Sequence, residues 1–349
     1  MTAPRPGREE PTTAEPDPDR LTSLVLGFIP AQIMRTMATL DLADRLAGGP
    51  ASPEELAKLT GCHAPSLRRL LRGAAFVGLL ALNDDGAYEL TPDGHLLRAD
   101  VPRSVKQLAV YLTGEPTWSA CGSIEHTVRT GQPAVDHVFG QSGYAWLAKD
   151  PAAQAEFYES CAGVARQDVP ALVEALDLSA ARDIVDAGGG NGLLMTGLLV
   201  ANPALAGVVF DQPASLASAR ATLRDAGVAD RCELAAGDFL ADPLPPDRDV
   251  YVLKSVLCDW GDDDAVRILR ACSRAMRADS VLLVIDLVLP EGNARPDPVA
   301  LMSDLCTLAC GGAVRTEREF ADLAAAAGLR LTESSETGAA TSILRAIKA

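Results

Sequence analysis

The sequence predicts an α/β protein, with a doubly wound, Rossmann-like sheet in the C-terminal half and a helical winged-helix module before it. Three observations predict this. From residue 182 short apolar runs alternate with helical stretches, the pattern of a parallel sheet covered on both faces. A glycine run, "VDAGGGNG" (185–192), follows directly on the first apolar run. Residues 52–97 read as helix, turn, helix and hairpin.

The elements follow in order. Residues 1–20 carry Pro4, Pro6, Pro11, Pro16 and Pro18 and read as a mobile tail. Residues 21–100 read as the winged-helix unit. Its opening helices place Leu24, Phe28, Ile33, Met37, Leu40, Leu42 and Leu46 on apolar faces. In "SPEELAKLTG" (52–61), Ser52 at the N-cap, Pro53 at N1 and Glu55 at N3 form a capping-box pattern. A second amphipathic helix spans 64–82, and two short strands flank the Asp85-Gly86 turn. Residues 101–180 read as a helical linker and lid, broken at Gly114, Gly131, Pro133, Gly140 and Gly143. Residues 181–349 form the sheet domain. Its strands run along "RDIVDAGGG", 205–213, 249–257 and 280–290, and its helices along 191–202, 214–227, 262–278 and 316–328.

Composition narrows the function. At roughly 150 residues per domain, 349 residues suggest about two domains. A hydrophobic fraction of 48% is enough for a sizeable core, which rules out a disordered chain as a whole. Lys and Arg number 31 against 47 Asp and Glu, a net charge of −16, and phosphate backbones need clustered cations. Arg68, Arg69 and Arg72 on the second winged-helix helix are the one feature that suggests DNA, and the acidic chain argues for a dimerisation role instead. No uninterrupted apolar run reaches the ~18 residues of a membrane span, and the N-terminus lacks a signal-peptide core. The eight cysteines are scattered without CxxC spacing, so the expectation is a reduced, cytoplasmic protein with no metal site.

The glycine run carries the chemistry. Glycines after a strand let a ligand approach the backbone, and the next helix start offers free N–H groups. The run has neither pyrophosphate-type GxGxxG spacing nor a P-loop GK[ST]. Asp186 ends its strand, and Asp211 ends the next strand 25 positions on, where a carboxylate can accept both ribose hydroxyls of an adenosine. "GDFL" (237–240) follows the third strand, so Asp238 can take the adenine amino group and Phe239 can cover the ring. With no diphosphate cradle, S-adenosyl-L-methionine fits better than NAD. A tight strand-to-helix turn and an ordinary strand-end cap would explain each feature singly, but not the ordered set.

"IVDAGGGNG", "VVFDQP", "AGDFLADPLP", "LKSVLCDWGDDDAVRILRACSRAM", "LLVIDLVLP" and "VRTEREFADLAAAAGLRL" resemble the small-molecule O-methyltransferase family of caffeate and hydroxyindole type over roughly residues 20–349. The resemblance implies a class I methyltransferase fold, a winged-helix dimerisation domain, a helical substrate lid and an intertwined homodimer acting on a small molecule. It also implies cofactor contacts at Gly188, Asp211, Asp238, Phe239 and Lys254 or Ser255, and Asp186, Gly190, Gln212 and Trp260 complete the candidate cofactor set.

The site departs from the family at its base. Most members carry a His in "LHDW"; here the string is "LCDW" and the position is Cys258. Of the two flanking carboxylates, one corresponds to Asp286, shortened from Glu, and the other to Val314 in "GGAVRT". A thiol of ordinary pKa near ~8.5 is mostly protonated at neutral pH, and acidic neighbours raise it further, so Cys258 reads as a packing residue. His126 and His137 flank the lid, and His126 is the alternative base. Loss of the His with an apolar residue in the GG-x-x-RT string resembles the anthracycline-tailoring branch, which includes a hydroxylase. Gln154 stands where that branch often has an Arg meeting the methionine carboxylate. The expected function is therefore O-methylation of a small natural-product scaffold by proximity and orientation. Alternatives are a non-methylating or C- or N-methylating reaction on the same cofactor, and a cofactor-sensing regulator.

Overall fold

The computed structural model describes residues 17–292, 294 and 297–349. Of the expected tail, 1–16 lies outside the described residues. Asp17 to Arg20 instead open a helix, Pro18–Val25, because the Asp17 side chain accepts from the Arg20 N–H and Pro18 sits in the first turn.

The N-terminal unit has the expected helix, turn, helix and hairpin, but its second helix ends at Phe76 rather than at 82: Gly78 takes φ +83° and Leu80–Leu82 is a strand. Helix Pro53–Thr60 begins with a complete capping box: Glu55 N–H donates to the Ser52 hydroxyl, and Ser52 N–H to the Glu55 carboxylate at 2.8 Å. Helix Ala64–Phe76 buries Leu67, Leu71 and Ala74 against Met37, Leu42 and Leu56. Strands β1 (Leu80–Leu82) and β2 (Tyr88–Leu90) form an antiparallel wing. The Asn83 side chain holds its loop by accepting from the N–H groups of Asp85 and Ala87.

Short helices follow: Lys106–Leu112, Thr117–Gly122, Ile124–Thr130, Ala134–Phe139 and Gly143–Leu147. The second and third of the expected glycine breaks, Gly131 and Gly140, cap two of them. The 25-residue helix Pro151–Ala175 then leads into the sheet domain.

That domain is built on β3 (Asp183–Ala187), β4 (Ala206–Asp211), β5 (Cys232–Ala236), β6 (Val250–Lys254), β7 (Val281–Asp286), β8 (Val288–Leu289), β9 (Arg315–Thr316), β10 (Leu329–Glu336) and β11 (Ser342–Lys348). The main sheet has the order β10-β11-β7-β6-β3-β4-β5, and β8 pairs with β9 apart from it. Alternate residues of the central strands enter opposite cores. Val185, Tyr251, Leu253 and Leu282 face one layer of helices, while Ile184, Val252, Leu283 and Ile285 face the other. Burial on both faces is why these strands read as continuous apolar runs rather than alternating ones. The sheet is not wholly parallel, as the alternation suggested: β11 inserts antiparallel between β7 and β10. The short 337–341 connection between β10 and β11 permits only a hairpin, so β11 must run against its neighbours.

Candidate active site

All the predicted cofactor residues lie at or beyond the C-terminal ends of β3, β4, β5 and β6, where open α/β sheets bind ligands. Gly188, at φ +80°, has no room for a side chain: a Cβ there would lie 2.8 Å from Val256 Cγ2 and 3.5 Å from the Phe239 ring. Gly190 N–H donates to Asp211 Oδ2 at 2.8 Å, and Gln212 N–H donates to Asp211 Oδ1 at 2.6 Å. The glycine turn and the second-strand carboxylate are thus one hydrogen-bonded unit.

Beneath them, Asp186 is buried, and its Oδ2 has no hydrogen-bond partner. Burial first, and the Asp211 charge second, raise its pKa to about 7, while Lys254 opposes the rise. An unsatisfied buried carboxylate oxygen beside a glycine cradle fits a ligand that brings a cation or a donor. That is what the ammonium and sulfonium of S-adenosylmethionine would supply. Lys254, one of the predicted contacts, is already held: its Nζ lies 3.1 Å from Asp168 on the Pro151–Ala175 helix, and both side chains are about nine-tenths buried. It enters the site as half of an ion pair. Its neighbour Ser255 adopts a left-handed conformation at φ +51°.

Asp238 uses its carboxylate to accept the Leu240 N–H, which fixes the turn carrying Phe239. Phe239 meets Trp260 edge to face at 5.9 Å. Trp260 in turn stacks on Tyr144, at 5.7 Å and 13°, and the Tyr144 hydroxyl donates to Asp259. Tyr144, Gln154, Phe157, Tyr158 and Gln212 line a cavity of about 230 Å³, so Gln154 and Gln212 face the same space.

Cys258 sits between two carboxylates. Its N–H donates to Asp286 Oδ2 at 3.2 Å and its thiol to Asp259 Oδ1 at 3.8 Å. Burial, then Asp286 and Asp259, push the Cys258 thiol well above its ordinary value. Burial raises Asp286 to about 6, against the opposing Leu287 N–H and Cys258 bonds. Asp259 is also raised by burial, with Tyr144 and Cys258 donating against that rise. His126 does not join this set. Its ring stacks on His137 at 4.0 Å and 8°, and no hydrogen bond among the described residues links it to Cys258 or Asp286. Helix Ile124–Thr130 turns it toward helix Ala134–Phe139 instead.

Sequence reasoning missed the groups that shape this loop. Arg315 is almost fully buried. It donates to the carbonyls of Leu257 at 2.9 Å and Trp260 at 2.7 Å, and to Asp262 Oδ1 at 2.8 Å. It therefore clamps the segment on either side of Cys258. Gly312 lets that segment close, since a Cβ there would fall 2.0 Å from the Cys258 carbonyl oxygen. The string "GGAVRT" holds both residues, Gly312 and Arg315, on either side of Val314.

A family model described as an O-methyltransferase domain matches residues 122–330, and one described as an O-methyltransferase dimerisation domain matches 22–100. The chain belongs to the O-methyltransferase family. It is 38% identical over 328 residues to the phenazine O-methyltransferase of Lysobacter antibioticus, covering 93% of this chain and 95% of that protein. It is 34% identical over 348 residues to the aclacinomycin 10-hydroxylase of Streptomyces purpurascens, covering 98% and 92%. An O-methyltransferase of neocarzinostatin biosynthesis, solved with S-adenosylmethionine and 2-hydroxy-5-methyl naphthoic acid, superposes with a TM-score of 0.80 at 33% identity, covering 92% of this chain and 96% of the other. The family's cofactor is S-adenosylmethionine, as the glycine run and its acidic partners predict.

Proposed function

We propose that this protein methylates a hydroxyl on a small aromatic, polyketide-like natural product. The observation that carries the reading is the unpartnered Asp186 oxygen beside the glycine turn. Bound S-adenosylmethionine supplies an electrophilic methyl group. The chain's own residues do the rest. Asp186 and the Asp168–Lys254 pair set the charge around the methionine end, with Gly188 and Gly190 clearing its path. Asp211, Gln212, Asp238, Phe239, Ser255 and Trp260 hold and cover the adenosine. The aromatic wall of Tyr144, Phe157 and Trp260 suits a flat substrate and excludes water.

Positioning replaces a strong base. Cys258, in the family's base position, stays protonated and packs. Asp286, already raised toward neutrality, receives the hydroxyl proton from an acidic phenol or enol. Holding the nucleophile about 3 Å from the methyl and in line can supply several kcal/mol of the barrier reduction.

The test is incubation with methyl-labelled S-adenosylmethionine and a panel of hydroxylated quinones and naphthoates. Label in an ether product supports O-methylation. Consumption of substrate without label in any product favours a second reading, a non-methylating reaction on the same cofactor. Cys258 in the base position and similarity to a protein named as a hydroxylase motivate that reading.

The unit at 21–100 serves as the dimerisation domain, 101–180 as lid and 181–349 as the cofactor domain of a cytoplasmic homodimer. Leu21, Leu24, Val25, Leu26, Phe28 and Ile29 are all exposed within the helical stretch Pro18–Thr39, which is long and apolar enough to cross a membrane by composition. A second copy of the chain covers them, because they lie in or beside the matched dimerisation domain. Nucleic acid does not enter: Arg68 pairs with Glu54, and a gel shift at physiological salt is expected to be negative.

A further inference from the structure

All eight cysteines are free thiols, and among the described contacts one pair of them meets sulfur to sulfur. That pair is Cys121 and Cys306. They come from helices 185 positions apart in sequence, Thr117–Gly122 in the lid and Pro298–Cys310 beside the Cys258 loop, and their sulfurs lie 3.9 Å apart. Ala120, Ala134, Val135 and Ala309 form a small buried cluster between the two helices, with Cys121 packed against it. Both thiols are only partly buried, so a small oxidant can reach them.

We propose that Cys121 and Cys306 are a redox modification site, which a peroxide converts to a disulfide that staples the lid to the wall of the active site. The sulfurs need to approach by about 1.9 Å to reach the ~2.05 Å of a disulfide, a shift within reach of side-chain rotation and small helix adjustments. The thiols are not equivalent. The hydrogen bond from Cys121 lowers the Cys306 thiol below its ordinary value and raises Cys121 correspondingly. Cys310, one turn along the same helix, is instead pushed up to about 11, chiefly by desolvation and then by Asp259 and Cys306. Cys306 is therefore the thiolate that reacts first.

The step balances with hydrogen peroxide as oxidant. The Cys306 thiolate attacks one peroxide oxygen, the O–O bond breaks, and a sulfenic acid and hydroxide form. Cys121 sulfur attacks the Cys306 sulfur, the S–S bond forms, the S–O bond breaks, and the second oxygen leaves as water. Two thiols lose two electrons in all, and one peroxide becomes two waters. The consequence is mechanical. The stapled lid helix can no longer move away from the Pro298–Cys310 helix, whose C-terminal Gly311-Gly312 segment abuts the Cys258 carbonyl. Lid opening of the kind that admits substrates is then suppressed until a thiol reductant restores it.

The experiment needs neither substrate nor cofactor, so its failure is distinct from failure of the methyltransferase reading. The full chain is treated with two equivalents of hydrogen peroxide and alkylated. It is then mapped by mass spectrometry, with hydrogen exchange followed in parallel over 117–147. The expected result is a Cys121–Cys306 linked peptide, six alkylated thiols in place of eight, and exchange in 117–147 slowed at least tenfold and restored by dithiothreitol. In Cys121→Ser neither the linkage nor the slowing should appear. Recovery of both Cys121 and Cys306 as alkylated thiols overturns the proposal. So does a linked peptide with unchanged exchange, since the staple would then hold nothing.

Discussion

The Gly190 N–H donates to Asp211 Oδ2 at 2.8 Å, so the carboxylate that ends β4 also fixes the glycine turn that ends β3. Its two oxygens are each used once by the backbone, and the carboxylate keeps acceptor capacity for a ligand hydroxyl. Asp211→Ala should therefore remove ligand contacts and loosen the turn together. Two hydrogen bonds to a charged acceptor, at about 1.5 kcal/mol or more each, correspond to a loss of affinity of about 100-fold or more for S-adenosylmethionine. Isothermal calorimetry measures it. Unchanged affinity would remove the ribose role of Asp211.

Asp186 makes cofactor binding depend on pH. With its pKa raised to about 7, the free protein holds a proton there at pH 6. A cationic ligand favours the ionised carboxylate, so binding below pH 7 must expel that proton. Affinity should fall by up to about tenfold per pH unit below 7, with proton release visible as a buffer-dependent binding enthalpy. The sign for stability is opposite. The unfolded chain titrates this group near ~3.9, so the stability gained from protonated Asp186 is complete below that value and lost as pH rises through 7. The ligand-free protein should lose thermal stability from this group between pH 4 and 7. Asp186→Asn should flatten both dependences.

These two carboxylates were legible because each closes an apolar run, Asp186 one residue before the end of β3 and Asp211 at the end of β4. Local chemistry of that kind survives in the sequence. The lid does not: Tyr144 and Asp259 are 115 positions apart, and Cys121 and Cys306 are 185, so no spacing announces either contact. His126 shows the same limit: its ring stacks on His137, a packing that the spacing of the segment does not announce. The β11 inversion was hidden for a related reason, since period and composition do not encode strand direction.

Arg315 should prove as necessary as any residue that touches a ligand. It is a buried cation bonded to two backbone carbonyls and a carboxylate, and the Arg315→Met variant would leave the Leu257 and Trp260 carbonyls without that donor. Asp262 is solvent-exposed, so the cost comes from the carbonyls left unsatisfied, at about 1–3 kcal/mol each. A melting point lowered by several degrees, with weakened substrate affinity from a displaced Cys258 loop, is the expected result. Arg315→Lys should rescue only part of it, because one ammonium lacks the planar fork that reaches all three acceptors.

The exposed apolar stretch makes a sharp prediction about assembly. Val25 is 74% exposed and Leu24 65%, an arrangement that water disfavours and a second copy relieves. The double substitution Leu24→Asp and Val25→Asp should convert a dimer to a monomer in light scattering. It should leave S-adenosylmethionine affinity within about threefold, since the glycine turn belongs to another domain. A variant that remains a dimer would place the interface elsewhere.

The division of labour at the base position separates Cys258 from Asp286. The Cys258 thiol is held protonated by burial and by two acidic neighbours, so Cys258→Ala should change turnover by no more than about threefold. A loss of several hundredfold would restore the thiol as a catalytic group. Asp286 behaves differently. Near pKa 6 it is ionised at neutral pH yet basic enough to accept a phenolic proton, and the Cys258 and Leu287 N–H groups hold it in place. Asp286→Asn keeps an acceptor for one of those N–H groups but cannot take the proton. Turnover should fall about 10- to 100-fold, within the range that one acid–base group supplies, and the acid limb of the rate profile near pH 6 should vanish. The loss should shrink as the substrate hydroxyl becomes more acidic, because an already ionised nucleophile needs only to be held in line. An acid limb that survives in Asp286→Asn would move the titrating group to Asp259, the other carboxylate beside the Cys258 thiol.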